Sequence, residues 1–270
     1  MPANNMEHPK AIACIDPTER QIDALQEVLP GNYFDAYDMK KILSMIVDHG
    51  DFTEVHKEFA PNIVVGFARF GGMSVGLVAN QPACMAGILD SNASVKAARF
   101  IRFCDCFNIP LVTLVDVPGF MPGSAQEYAG VIRHGGKLLY AYAEATVPKI
   151  TIVIRKNYGG AYCVMAPKHL RGDINYAWPS AQIAVMGSKA AVEILYGKEA
   201  QSSSDPSAYL DQKEKEYAEA FLNPYCAAER GYVDEIIAPA QTRFKIIKSL
   251  LMLKNKKDSN PPKKHGNIPL

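Results

Sequence analysis

The sequence predicts an α/β fold: a parallel-rich sheet carrying one antiparallel hairpin, with helices packed outside it. Three patterns predict this. Two apolar runs, Leu111 to Val115 and Ile150 to Ile154, bracket a stretch of helical periodicity, and strand, helix and strand in that order require parallel pairing. Two β-rich runs, Asn62 to Phe67 and Met73 to Ala79, meet across Gly71-Gly72, and paired glycines supply the positive φ angles of a tight hairpin turn. Between these units, Ser94 to Phe107 repeats apolar residues at helical spacing.

Taken in order, residues 1–34 read as an extended leading segment, because Pro2, Pro9, Pro17, Pro30 and Gly31 interrupt any periodicity. Asp35 or Asp38 then caps a helix whose apolar face is Met39, Ile42, Leu43, Ile46 and Val47, closed at His49-Gly50. After the hairpin, the next helix buries Val95, Ala98, Ile101 and Cys104 or Asp105, with Lys96, Arg99 and Arg102 outside. Pro110 ends it. Ser124-Ala-Gln-Glu127 reads as a capping box for a helix with Tyr128, Val131, Ile132, Gly135, Leu138, Leu139 and Tyr142 on one apolar face. Pro148 precedes the second buried strand. Beyond it come Gly159-Gly160, a short helix near Ala161 to Met165, and a third strand at Gln182 to Met186. A polar connection at Gln201 to Ser207 precedes a long helix from about Asp211 to Gly231, and a last helix spans Thr242 to Leu253. One domain is expected over residues 35–254, followed by a Lys/Pro-rich tail at 255–270.

Composition narrows the function classes. The chain has 270 residues, 48% apolar and 21% charged, with a net charge of +1, which excludes wholesale disorder. No apolar run approaches the roughly 20 residues of a membrane-spanning helix, and the first ten residues carry neither a signal nor a transit pattern, so a cytoplasmic setting, or an organelle matrix such as the mitochondrial one, is expected. Six cysteines with no CxxC pair suggest reduced core residues, and neighbouring Cys104 and Cys106 point to different helix faces, so no metal site is expected. Between Arg243 and Lys264 eight basic residues stand against Asp258 alone. A solvated last helix and tail is the simplest reading, an acidic partner protein the next, and nucleic acid the last, since no nucleic-acid motif accompanies the cluster.

The stretch with the most chemistry is Arg155 to Cys163, between a buried strand and a helix. Gly159 and Gly160 let the backbone approach a ligand, and the helix start leaves N–H groups without intrahelical acceptors. Two such donors with a helix dipole behind them can hold an oxyanion, although Gly-Gly at this place is also ordinary packing geometry. Phosphate binding is disfavoured because GxxxxGK[ST] is absent. Asp116, at a strand end, reads as a carboxylate bonded to nearby backbone, His134 as a helix-face residue and Trp178 as core or interface.

These segments together resemble a known family. Asp116-Val-Pro-Gly-Phe120, Ala125-Gln-Glu-Tyr128, Arg133-His-Gly135, Ala143 to Lys149, Gly159-Gly-Ala-Tyr162, Asn175 to Pro179 and Ala184-Val-Met-Gly187 are similar to motifs of the carboxyltransferase (beta) subunits of biotin-dependent acyl-CoA carboxylases, the propionyl-CoA type above all. The likeness runs from the leading segment to His265-Gly-Asn-Ile-Pro-Leu270, but it matches the C-terminal one of two crotonase-like halves. The resemblance implies a crotonase-like fold and transfer of a carboxyl group between carboxybiotin and a short-chain acyl-CoA, propionyl-CoA or methylmalonyl-CoA. Biotin itself would serve as the base. The N–H groups of Gly160 and Ala161 would form the biotin-side oxyanion hole, with Gly159 giving clearance and Val117, Pro118, Gly119 and Phe120 bordering the biotin pocket. Cys163 stands where relatives carry Asp or Ile and would help shape the acyl pocket; as a nucleophile it lacks a histidine in the motif, His169 being the only one near it in sequence. The implied partners are a biotin carboxyl carrier protein or domain, an N-terminal carboxyltransferase half without which the chain is expected to be inactive, and further copies in a homo-oligomer. A methylmalonyl-CoA decarboxylase or transcarboxylase subunit, or a non-catalytic carrier-docking module, are the alternatives. The absent CxxC argues against the zinc-bearing acetyl-CoA type.

Overall fold

In this computed structural model, which describes residues 2–270, all strands belong to one eight-stranded sheet. Its strands are β1 (Phe52–Val55), β2 (Ile63–Phe70), β3 (Met73–Asn80), β4 (Leu111–Val117), β5 (Lys149–Tyr158), β6 (Ile174–Ala177), β7 (Gln182–Ala184) and β8 (Glu235–Ile236). They run in the order β1-β2-β3-β4-β5-β6-β8, with β7 also paired to β5. The β1–β2 and β2–β3 pairs are antiparallel and every later pair is parallel. The hairpin closes with Phe70 opposite Met73, so Gly71 (φ 58°) and Gly72 (φ 80°) form a two-residue loop.

The helices are α1 (Leu25–Val28), α2 (Met39–Ile46), α3 (Ser91–Cys106), α4 (Ser124–Tyr128), α5 (Val131–Glu144), α6 (Gly159–Val164), α7 (Ser188–Ala200), α8 (Pro206–Phe221), α9 (Tyr225–Glu229) and α10 (Thr242–Met252). Alternation along the strands builds two cores. Ile63, Val65, Leu111 and Val115 face α3 and α5, while Val64, Phe70, Val112 and Leu114 face α2 and α10. Both faces of the parallel strands are therefore covered, which is why they read as unbroken apolar runs. No helix among the described residues is long and apolar enough to cross a membrane.

Several expectations need correction. Lys96 is buried inside α3, not outside it: its Nζ donates to the carbonyls of Ala60 (3.2 Å) and Ile63 (2.7 Å), acceptors that periodicity cannot reveal. Burial brings its pKa down to about 8. Ser124 caps nothing. Gly123 takes the cap position, α4 lasts one turn, and left-handed Gly130 (φ 77°) restarts the helix at Val131 with a new phase. Val131, Gly135, Leu138 and Tyr142 therefore turn inward, whereas Tyr128 and Ile132 are exposed. The long helix begins at Pro206, where the Asp205 side chain accepts the Ala208 N–H (3.0 Å), and ends at Phe221 before Asn223-Pro224. Strands β1, β6 and β8 and helix α7 lie outside what the pattern predicted.

The basic C-terminal cluster is not simply solvated. Arg243 is fully buried against Asp48 (2.7 Å), Lys245 pairs with Glu235, and Lys256 with Asp173 (2.8 Å). Cysteines are less interior than expected: Cys104 alone is buried, Cys106 is exposed and the other four are half-buried. Trp178 is core, its Nε1 donating to Thr242 Oγ1 (2.9 Å).

Candidate functional site

Parallel strands of this kind leave their ligand sites where strands end and helices begin, and here β4 and β5 end side by side, with Val117 opposite Asn157. The β5 turn is built by two glycines that differ in kind. Gly159 adopts φ 57°, and a Cβ on it would lie 2.8 Å from the Val185 carbonyl oxygen, so both its conformation and its surroundings demand glycine. Gly160 has no such constraint and is exposed. The N–H groups of Gly160 and Ala161 lie in the first turn of α6, where no intrahelical acceptor exists, and no side chain among the described residues caps the turn. With only six residues α6 carries a weak macrodipole, so the two donors themselves are what the turn offers. Ala161 is fully buried, which makes Gly160 the one a ligand meets first.

The β4 end supplies the facing loop. Val117 is fully buried in the α3/α5 core and contributes backbone alone, while Pro118, Gly119 and Phe120 are half-buried. The loop is pinned by Leu89, whose N–H donates to the Gly119 carbonyl (3.1 Å) and whose carbonyl accepts the Met121 N–H (2.8 Å). This brings the Phe120 ring beside Gly160: a Cβ on Gly160 would touch its Cδ2 and Cε2 at 3.6 Å. Sequence reasoning placed Phe120 and Gly160 in one site; it did not reveal that the tip of the same ring enters the space left by Gly135 on α5.

Cys163 lies one turn beyond Gly160, on the same side of α6, and is half-buried. No hydrogen bond among the described residues joins it to His169, whose ring instead sits edge-on between Tyr162 (centroids 5.2 Å apart) and Tyr232 (5.9 Å). The Tyr162 hydroxyl is buried without a partner, and burial, with Cys163 and Tyr232 adding to it, raises its pKa to about 12.

Beneath the loop lies a polar cluster that the pattern missed. Asp116, fully buried, accepts from Arg155 Nε (2.9 Å) and from the Lys156 N–H (3.0 Å). Arg155 also donates to the Asp35 carbonyl (2.9 Å) and lies over the rings of Tyr37 (5.0 Å) and Tyr33 (5.3 Å). Burial pushes the Asp116 carboxyl up, and the Arg155 guanidinium only partly offsets it. Asp116 therefore ties the ends of β4 and β5 together. His134, with Nδ1 buried and unpartnered, is held below its ordinary pKa by burial and by Lys137 and Arg133. Among the described residues no three His, Cys, Asp or Glu side chains gather closely enough to hold a metal ion.

Two surface cavities lie elsewhere. One of about 470 Å³ sits between Ile12, Cys14, His49 and Arg69, and one of about 360 Å³ between Arg99, Arg102, Lys137 and Pro269. Neither is lined by Gly160, which is itself exposed.

Comparison with known proteins gives these residues a context. The model of the carboxyl transferase domain matches residues 1–268. The chain is 56% identical over 270 residues to the carboxyltransferase subunit of propionyl-CoA carboxylase from Haloferax mediterranei, covering all of this chain and 52% of that protein. It is 50% identical to the alpha subunit of methylmalonyl-CoA decarboxylase from Propionigenium modestum, again over 270 residues and 52% of the relative. Among solved structures, transcarboxylase 12S, a hexamer with methylmalonyl-CoA and methylmalonic acid bound, superposes with a TM-score of 0.95 at 51% identity, over all of this chain and 52% of that one. The chain thus spans about half the length of the relatives it matches.

Proposed function

Because the chain belongs to the carboxyl transferase domain family, we propose that it forms the biotin side of a carboxyltransferase that moves a carboxyl group between carboxybiotin and a short-chain acyl-CoA, propionyl-CoA or methylmalonyl-CoA. The observation that carries this reading is the pair of N–H donors at Gly160 and Ala161, in the uncapped first turn of α6 just past the strained Gly159 and beside the Phe120 ring. Those donors suit the urea oxygen of biotin, and the flat Phe120 ring beside Gly160 suits its bicyclic ring. When bound, carboxybiotin supplies the carboxyl group and the base for the acyl α-proton, which accounts for a site with no general base of its own. Gly160 and Ala161 stabilise negative charge on the urea oxygen; loss of one such donor typically costs about 2.7–4 kcal/mol of transition-state stabilisation. Gly159 gives clearance, Pro118 and Gly119 border the pocket on the loop that the Leu89 bonds hold around Phe120, and Cys163, small and one turn away, leaves room for a short acyl group.

The exposure of Gly160 fits a site completed by a second element. We assign that element to an N-terminal carboxyltransferase half, within an oligomer that receives biotin on a carrier protein or domain. Decarboxylation or transcarboxylation is the second reading, favoured by the likeness to the decarboxylase subunit and to transcarboxylase 12S. The test is to combine the chain with a separately expressed N-terminal half, carboxylated biotin carrier and propionyl-CoA. Methylmalonyl-CoA formed only in the complete mixture supports the first reading, and carbon dioxide released from methylmalonyl-CoA without net carboxylation of propionyl-CoA favours the second. No turnover in either direction removes both and leaves a docking module.

A further inference from the structure

Inside a helix, glycine is the least favourable residue short of proline, yet α5 holds two in succession, Gly135 and Gly136. Their surroundings differ. A Cβ on Gly136 would meet nothing closer than the Pro269 ring at 3.8 Å, an ordinary contact. A Cβ on Gly135 would stand 2.8 Å from Phe120 Cζ and 3.0 Å from Cε1, closer than real Cβ atoms approach. The bare α-carbon of Gly135 is therefore a notch that admits the tip of the Phe120 ring, while the flank of the same ring lies against Gly160. Main-chain bonds from Leu89 to Gly119 and Met121 hold the backbone on either side of Phe120, so the ring adjusts more readily than the loop.

We propose that Gly135 is a positioning residue of the biotin side of the site: its missing side chain seats Phe120 as the wall beside the Gly160 amide. This deepens the carboxyltransferase reading and rests on it. Filling the notch displaces the ring from its place beside Gly160 while leaving the helix intact, since alanine favours α5 more than glycine does. Gly135→Ala and Gly136→Ala give the helix the same benefit; only the first meets Phe120.

The experiment follows the amide resonances of Gly160 and Ala161 in the full chain, first without ligand and then during titration with free biotin. Without ligand, Gly135→Ala shifts the Gly160 resonance and Gly136→Ala leaves it in place. On titration, Gly135→Ala weakens biotin binding about tenfold, as expected for a one-carbon change in a fitted pocket, and Gly136→Ala does not. In the double variant Gly135→Ala/Phe120→Leu, the shortened side chain no longer meets the added methyl, so binding matches that of Phe120→Leu alone and the two losses do not add. If Gly135→Ala does not fold, Phe120→Trp overfills the same notch from the other side and weakens binding in its place. Equal binding by wild type and Gly135→Ala, or strictly additive losses, overturns the proposal while leaving the carboxyltransferase reading intact. If the wild-type amides do not respond to biotin at all, the carboxyltransferase reading fails, and the proposal falls with it even where the ligand-free shifts are seen.

Discussion

Two doubled glycines in this chain look alike in sequence and end in opposite states. At the hairpin, Gly71 and Gly72 both take positive φ, and their N–H groups donate to the two oxygens of Asp48 at 2.8 and 2.7 Å. That carboxylate is backed by the fully buried Arg243 at 2.7 Å. At the end of β5, only Gly159 takes positive φ, and the two N–H groups that follow it have no side chain among the described residues capping them. A pair of successive amides is an anion receptor in both places. The hairpin fills it with an anion of its own and becomes structure, whereas the β5 turn brings no carboxylate of the described residues to its pair and becomes a candidate site.

The largest effect that would test this contrast is at Asp48. Asp48→Ala leaves both glycine amides without their anion and Arg243 with only the more distant Asp16 carboxylate (3.6 Å), and losing one partner of a buried pair costs about 3–5 kcal/mol. Urea unfolding should show that loss, and Asp48→Ala/Arg243→Met should recover part of it. A loss below about 1 kcal/mol, the level of an ordinary surface pair, would mean that the hairpin receptor is decorative.

Acid offers the next test. Burial alone would raise the Asp48 carboxyl, but the Gly72 and Gly71 amides and Arg243 outweigh it and hold its pKa below the ordinary value. The stabilisation is therefore fully present above about pH 3.9, the unfolded-state value, and is lost as pH falls through the still lower folded value. Asp116 has the opposite sign. Its raised pKa means that its contribution is present below the ordinary value and lost as pH rises through the folded one. Unfolding midpoints measured across acid pH should thus lose part of their slope in Asp48→Asn, and Asp116→Asn should not share that change.

Smaller again is Gly159→Ala. Left-handed backbone costs a residue with a Cβ roughly 1–2 kcal/mol, and the contact with the Val185 carbonyl at 2.8 Å adds to this. Thermal unfolding should fall by several degrees, with binding falling as a consequence of the altered turn.

How much of this was legible follows from what kind of signal each feature leaves. The hairpin and the β4–β5 crossover were readable because apolar runs and paired glycines are local. Strand β6 was not: it spans four residues that include Asn175, whose N–H is taken by Asp234 (2.8 Å) and whose side chain reaches the Ala166 carbonyl (3.1 Å). Its polar groups bond to residues outside the strand, with Asn175 Oδ1 buried and unpartnered, and leave no period to detect. The doubled glycine of the site was visible for the same reason as the hairpin. The notch that seats Phe120 was not, because Phe120 and Gly135 lie on different elements and only the tertiary fold brings the ring against α5. Asp48 and Arg243 were hidden by their spacing, 195 positions apart, and Arg243 was read as part of a solvated basic cluster.

The smallest effect on stability is also the one that separates the two glycines of the β5 turn. Gly160 is exposed, lacks positive φ, and would place a Cβ in ordinary contact with Phe120 at 3.6 Å. Gly160→Ala should therefore change unfolding free energy by no more than about 0.5 kcal/mol, the usual range for surface positions. The added methyl nevertheless projects toward Phe120, across the face where an oxygen would approach the amide. Carboxyl transfer in the reconstituted mixture should drop while the thermal midpoint stays within a degree or two, the reverse of the balance at Gly159, where stability moves first. Were Gly160→Ala to leave transfer unchanged, the open amide pair would be a structural accident of the turn, and the contrast with the filled pair at Gly71 and Gly72 would carry no functional meaning.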